Sequence, residues 1–141
     1  AATNVIALMV GGEDLATALG GRATPEVLRV PKLLVHYAAR AEGKLSFGLL
    51  RSVSDYSDLD GIRAAAEEAH AHGFDGATCV HPSAVPILNL AFAPSAEEIN
   101  WARRVVDGAR VSDGAFSLGG QMVDKPVVER ARRILAQASR H

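Results

Sequence analysis

The run Val5-Ile6-Ala7-Leu8-Met9-Val10 is apolar throughout and stops on Gly11-Gly12. An unbroken apolar run of this length is the pattern of a parallel strand covered on both faces. Directly behind it the acidic pair Glu13-Asp14 precedes Leu15-Ala16-Thr17-Ala18-Leu19, a short helical turn closed by Gly20-Gly21. A buried strand that feeds a helix through a glycine turn restricts the chain to β/α architectures, and the rest of the sequence follows the same logic. Thr24 is a candidate N-cap with Pro25 in the first turn of the next helix, which carries Val27, Val30, Leu33, Leu34 and Tyr37 on one side and ends at Gly43. Pro31 is expected to kink or split that helix.

Leu45 to Leu50 reads as a second strand, followed by a helix begun by Ser57-Asp58-Leu59-Asp60 and running from Ile62 to His72. Its face is small (Ala64, Ala65, Ala66, Ala69), which suits close packing. A third strand is expected over Ala77 to Val80, stopped by Pro82, then helices over Ser83–Leu90 and Ser95–Ala109. Ser95 with Glu98 three residues later is a capping box. Two short extended pieces, Ala115–Leu118 and Gln121–Val123, flank Gly119-Gly120, and a helix from Pro126 to Ala138 closes the pattern. Strand–helix alternation of this kind implies parallel β/α units rather than a sandwich. Three such units make neither a closed eight-strand barrel nor a comfortable open sheet, so the chain reads as part of a fold.

With 141 residues the chain can bury on the order of two-thirds of its unfolded surface. Its 15 basic and 16 acidic residues are interspersed, which argues against a nucleic-acid partner, since that would need a basic stripe. The local excess of Arg130, Arg132, Arg133 and Arg140 fits the solvated face of the last helix. Cys79 is the only cysteine, so no internal disulfide can form and a reducing, cytoplasmic setting is the natural reading. The apolar stretches fall far short of the ~20 residues of a membrane span, and the amino terminus lacks the features of a signal peptide. It also lacks an initiator Met, as expected for a piece of something longer.

Three positions carry candidate chemistry. Asp14 lies just past a strand's carboxy end, where parallel α/β folds gather functional groups. A carboxylate there can ligate Mg²⁺, and Gly11 and Gly12 would let backbone N–H groups approach an anion; equally, Asp14 can simply cap the turn. His81 ends the third expected strand, where it can position a substrate or serve as a hydrogen-bonded structural residue. Asp124, in "GGQMVDKP", reads from spacing alone as a turn aspartate introducing the last helix. His36, His70 and His72 form no metal cluster, Cys79 has no partner at ligand spacing, and neither a P-loop nor a dinucleotide fingerprint is present.

Taken in order and spacing, "MVGGEDLATALGG", "SDLDGIRAAAEEAHAHGFDGATCVHPSAV", "AFAPSAEEINWARRVV" and "GGQMVDKPVVERARRIL" resemble the carboxy-terminal half of citrate lyase β-subunit-like proteins, the metal-dependent aldolase superfamily that includes malyl-CoA and citramalyl-CoA lyases. The resemblance implies a TIM-like (β/α)₈ barrel, of which residues 1–110 would hold strands six to eight, with 111–141 as a carboxy-terminal extension or lid. It implies a Mg²⁺-dependent carbon–carbon lyase acting on a β-hydroxyacyl-CoA-type substrate (malyl-CoA, citramalyl-CoA or a citryl thioester) or a 2-oxo acid, through a metal-stabilised enolate. Asp14 would bind Mg²⁺, the backbone of Gly12 and Glu13 would hold the substrate carboxylate, and Asp124 would be the acid/base, acting in trans on a neighbouring subunit. A homo-oligomer, trimer or hexamer, with neither nucleic acid nor membrane as partner, is implied as well.

The sequence also departs from the family pattern. The second metal ligand, a Glu on the preceding strand, and a substrate Arg would lie before Ala1, and "LSFGLLRSVSDYSD" lacks the usual Asp-Gly near the strand end. The first strand would then keep an unpaired edge that invites aggregation unless covered. These residues by themselves are therefore expected to be inactive. The alternative function is a non-catalytic fragment or assembly module of the same fold.

Overall fold

The computed structural model describes residues 3–139, which leaves Arg140 outside the described residues. The chain divides into two compact units, Ala1–Phe92 and Ala93–His141.

In the first unit β1 (Ala7–Met9) pairs in parallel with β2 (Leu45–Phe47), Leu8 opposite Ser46. The helices are α1 (Gly12–Ala18), α2 (Pro25–Ala41), α3 (Leu59–Ala71) and α4 (Val85–Phe92), the last preceded by a 3-10 turn at Pro82–Ala84. Thr24 caps α2 by accepting from the Val27 N–H, and Asp58 caps α3 by accepting from Gly61. Each such cap contributes about 1 kcal/mol by satisfying an orphan donor of the first turn. The core is helical: Ile62, Ala65, Ala66 and Ala69 of α3 pack with Leu88 and Phe92 of α4 around Leu49, Leu50 and Phe74. Alanines on the inner face of α3 let α4 approach closely.

The second unit is a helical pair with a hairpin. α5 (Ala96–Val111) begins at Ser95 with a complete capping box, the Glu98 side chain returning to the Ser95 N–H. β3 (Phe116–Leu118) and β4 (Gln121–Val123) pair antiparallel around Gly119 (φ 61°) and Gly120 (φ 81°). Two consecutive positive φ values make the tight turn that matches strand twist, which glycine adopts without a Cβ penalty. α6 (Lys125–Ala138) packs on α5 through Ala102, Val105 and Ala131, with Val123 of β4 in the same cluster. Gly108 admits the Phe116 ring, since a Cβ there would stand 2.5 Å from it. Arg130, Arg132 and Arg133 are exposed as expected, and Arg130 lies over the Trp101 ring at 4.5 Å.

The expected TIM-like (β/α)₈ architecture is overturned. Among the described residues the fold is mostly helical, with two two-stranded sheets and no closed barrel. The third expected strand, Ala77–Val80, reduces to one parallel bridge between Phe47 and Gly76. Gly48 still donates to the Gly76 carbonyl at 2.9 Å, but the chain bends at Leu50 and Arg51 and no ladder extends along 77–80. β1 is not covered on both faces, since Met9 is 53% exposed and Ile6 just before it 76%, and β2 is its only strand neighbour among the described residues. α2 runs as one element through Pro31, and its inward face is Leu28, Lys32, His36 and Ala39. Val30, Leu34 and Tyr37, expected on the buried side, are exposed.

His36 has a testable consequence for stability. It is buried, stacked on Phe74 at 4.3 Å, and its Nδ1 has no partner. Burial first, then the Arg40 charge, push its pKa below the ordinary value, against the pull of the His72 main chain and Asp75; the His72 side chain adds to the downward push. Folded His36 thus binds a proton less readily than unfolded His36. Its contribution to stability is complete above the unfolded pKa of about 6.5 and is lost as pH falls through the folded value. The urea midpoint of the first unit is expected to drop between pH 7.5 and 5.5, and His36→Leu to flatten that drop. A midpoint equally pH-dependent in both chains would assign the effect to other groups.

Candidate functional site

The carboxy ends of β1 and β2 bring two segments together, the Gly11–Asp14 turn and residues 49–54. Gly11 stands at the N-cap position of α1 and offers no side-chain cap, and the first intrahelical bond runs from the Leu15 N–H to the Gly11 carbonyl. The N–H groups of Gly12, Glu13 and Asp14 therefore lack acceptors within the helix. Asp14 is thus not the cap of the turn. Its carboxylate is exposed and folds back over Gly11, where a Cβ would stand 2.6 Å from Oδ2. Glycine at position 11 is what permits that orientation.

Glu13 is tied across to the second segment. Its Oε1 accepts from the Ser54 hydroxyl at 2.9 Å and from the Ser52 hydroxyl. The Ser52 bond first, then Ser54 and the Lys32 charge, hold its carboxyl below the usual range. Beneath the turn lies Lys32, 5% exposed, whose Nζ donates to the Leu49 carbonyl at 2.9 Å and the Arg51 carbonyl at 2.8 Å. Burial pushes its pKa down, opposed by the Glu13 charge. Sequence reasoning missed Lys32. The available signal was the helical stripe Leu28, Lys32, Val35, Ala39, on which it is the single charge.

The other sequence candidates have local structural roles. His81 caps the 3-10 turn: its Nδ1 accepts from the Ser83 N–H at 3.2 Å, which leaves the ring proton on Nε2. Its ring stacks on Tyr56 at 4.7 Å. Beside this stack, Leu49, Val53, Ile62, Cys79 and Leu88 line an apolar pocket. Asp124, in the second unit, is the N-cap of α6, accepting from the Val127 N–H at 3.4 Å. Among the described residues no group of three or more His, Cys, Asp or Glu side chains could hold a metal ion. Asp14 offers an exposed carboxylate beside amides that lack acceptors within the helix. That fits Mg²⁺ as one ligand among waters and substrate oxygens, not as a closed protein cage. No described helix is long and apolar enough to cross a membrane.

Residues 1–82 match the family model described as HpcH/HpaI aldolase/citrate lyase, a span that includes the Gly11–Asp14 turn and residues 49–54. The chain belongs to the HpcH/HpaI aldolase/citrate lyase family. It is 37% identical over 145 residues to the citrate lyase subunit beta-like protein of Mycobacterium tuberculosis (strain ATCC 25618 / H37Rv), covering 98% of this chain and 52% of that protein. The crystal structure of protein CitE from Mycobacterium tuberculosis in complex with magnesium, acetoacetate and coenzyme A superposes with a TM-score of 0.83 at 37% identity, over 95% of this chain and 52% of that one. The complex of the same protein with magnesium and pyruvate gives 0.68 at 30% identity, over 96% and 48%. The chain spans about half the length of the relatives it matches. Within the span of the family match, Gly11, Gly12, Glu13 and Asp14 form a turn that presents both an exposed carboxylate and amides without helical acceptors.

Proposed function

We propose that this chain contributes to a Mg²⁺-dependent carbon–carbon lyase acting on a β-hydroxyacyl-CoA-type substrate and releasing or using a 2-oxo acid. The observation that carries the reading is the exposed Asp14 carboxylate, folded over Gly11 beside amides that lack helical acceptors. Support comes from membership of the family and from relatives whose complexes hold magnesium with acetoacetate and coenzyme A, or with pyruvate. Asp14 supplies a ligand to Mg²⁺, and the main-chain N–H groups of Gly12 and Glu13 bind the substrate carboxylate. The Glu13 side chain, held by Ser52 and Ser54, is spent on keeping that turn in place. His81 presents its Nε2–H as a further donor to substrate. When bound, Mg²⁺ stabilises negative charge developing on a substrate oxygen.

Asp124 takes and returns a proton at its carboxylate, delivered by the 111–141 extension to a neighbouring subunit of a trimer or hexamer. A cytoplasmic setting accords with the single cysteine. The second reading, a non-catalytic assembly module, draws on the exposed apolar residues Ile6, Met9, Val30, Leu34 and Tyr37.

One experiment separates the two. With malyl-CoA, citramalyl-CoA or a citryl thioester supplied, the native assembly containing this chain is expected to release product at a rate that falls to background with a chelator and returns with Mg²⁺. Absence of Mg²⁺-dependent cleavage of all three leaves the assembly reading in its place.

A further inference from the structure

The segment after β2 has three different tasks on consecutive residues. The carbonyls of Leu49 and Arg51 receive the Lys32 ammonium, and the hydroxyls of Ser52 and Ser54 receive Glu13 as their acceptor. The side chains of Leu49 and Val53 face the apolar pocket. Lys32 also lies directly under the start of α1: a Cβ on Gly12 would stand 3.5 Å from Nζ and 3.0 Å from Leu28 Cδ1. One buried cation therefore touches the segment after β2 and sits beneath the turn after β1. A lysine that donates to two main-chain carbonyls is held as a donor, and is not freed as a nucleophile.

We propose that Lys32 is a positioning residue, whose buried ammonium locks the 49–54 segment to the start of α1 and so fixes the orientation of Asp14 and of the Gly12 and Glu13 amides. This deepens the lyase reading and rests on it for the role of that turn. The physical reason is that hydrogen bonds from a charged donor to buried carbonyls are among the stronger ones, and removing the donor leaves both carbonyls unsatisfied. Glu13 adds a second tie between the same segments. Glu13 and Ser54 are exposed and Ser52 is only half-buried, however, so this tie holds less without the lysine beneath it.

The test uses the full chain and backbone ¹⁵N relaxation. In Lys32→Met, order parameters of residues 12–15 and 50–54 are expected to fall from rigid values of about 0.85 to below about 0.6, while those of α3 stay unchanged. Lys32→Arg, which keeps charge and donors, is expected to restore them. Unchanged order parameters in Lys32→Met, or a uniform fall across the first unit, would overturn the proposal, because a merely stabilising side chain does not loosen two segments selectively.

Should Lys32→Met not fold, the parent chain still decides the matter. The Lys32 ammonium is expected to give a slowly exchanging ¹⁵N signal, and exchange as fast as that of exposed Lys125 would overturn the proposal. A Mg²⁺ titration followed at the amides of residues 12–14 separates this proposal from the reading beneath it. Selective loosening in Lys32→Met without any Mg²⁺ response in the parent keeps the positioning role and removes the metal role. A Mg²⁺ response with no loosening does the reverse.

Discussion

Asp14→Ala is expected to abolish Mg²⁺-dependent turnover in the native assembly while leaving the fold intact. Removing a group that stabilises developing charge commonly costs about 10²–10³ in rate, and a lost metal ligand costs at least as much. Stability should change by no more than about 0.5 kcal/mol, since the Asp14 side chain is exposed and makes no capping bond to α1. A subtler variant tests orientation alone. Gly11→Ala places a Cβ 2.6 Å from Asp14 Oδ2, so the carboxylate must swing aside while every functional group remains. Its Mg²⁺ affinity is expected to fall with an unchanged urea midpoint. Full Mg²⁺-dependent turnover in Asp14→Ala would remove the assignment of this residue to the metal.

The second large effect concerns Asp124, whose position permits two roles. The structure gives it an N-cap, accepting from Val127. The proposed chemistry gives it a proton to carry. Asparagine caps as well as aspartate does, whereas alanine loses about 1 kcal/mol, and only aspartate can serve as an acid/base. Asp124→Asn is therefore expected to keep the unfolding midpoint of the second unit and lower turnover by about 10²–10⁴, the range for loss of a general acid/base. Asp124→Ala should lose a similar amount of turnover and the cap in addition, with Mg²⁺ binding spared in both. If Asp124→Asn turns over like the parent, the residue is a helix cap and nothing more. Mixed assemblies give the trans test: subunits carrying Asp14→Ala and subunits carrying Asp124→Asn should complement one another, and failure to do so in an intact assembly would place both residues within one subunit.

What the amino-acid sequence determined by itself was everything settled within a few residues. The caps at Thr24, Asp58 and Ser95 and the hairpin at Gly119-Gly120 follow from bonds to neighbours three or four positions away or from a backbone angle that glycine adopts at no cost. The family, too, was legible, because "GGEDLATALGG" and "GGQMVDKP" with the segments between them resemble it in order and spacing, and residues 1–82 match its model. The extent of the strands was not, because a ladder needs a partner: Ala77–Val80 has the composition of a strand, yet only Gly76 meets one. Nor was the inward face of α2, which carries apolar residues on two sides. Its choice depends on Lys32 reaching carbonyls 17 and 19 residues further along the chain. Only the tertiary structure brings those acceptors under the helix, and a buried charge is tolerated only where such acceptors exist. The same folding back places Ser52 and Ser54 beside Glu13, and so decides that Glu13 holds the turn while Asp14 stays exposed.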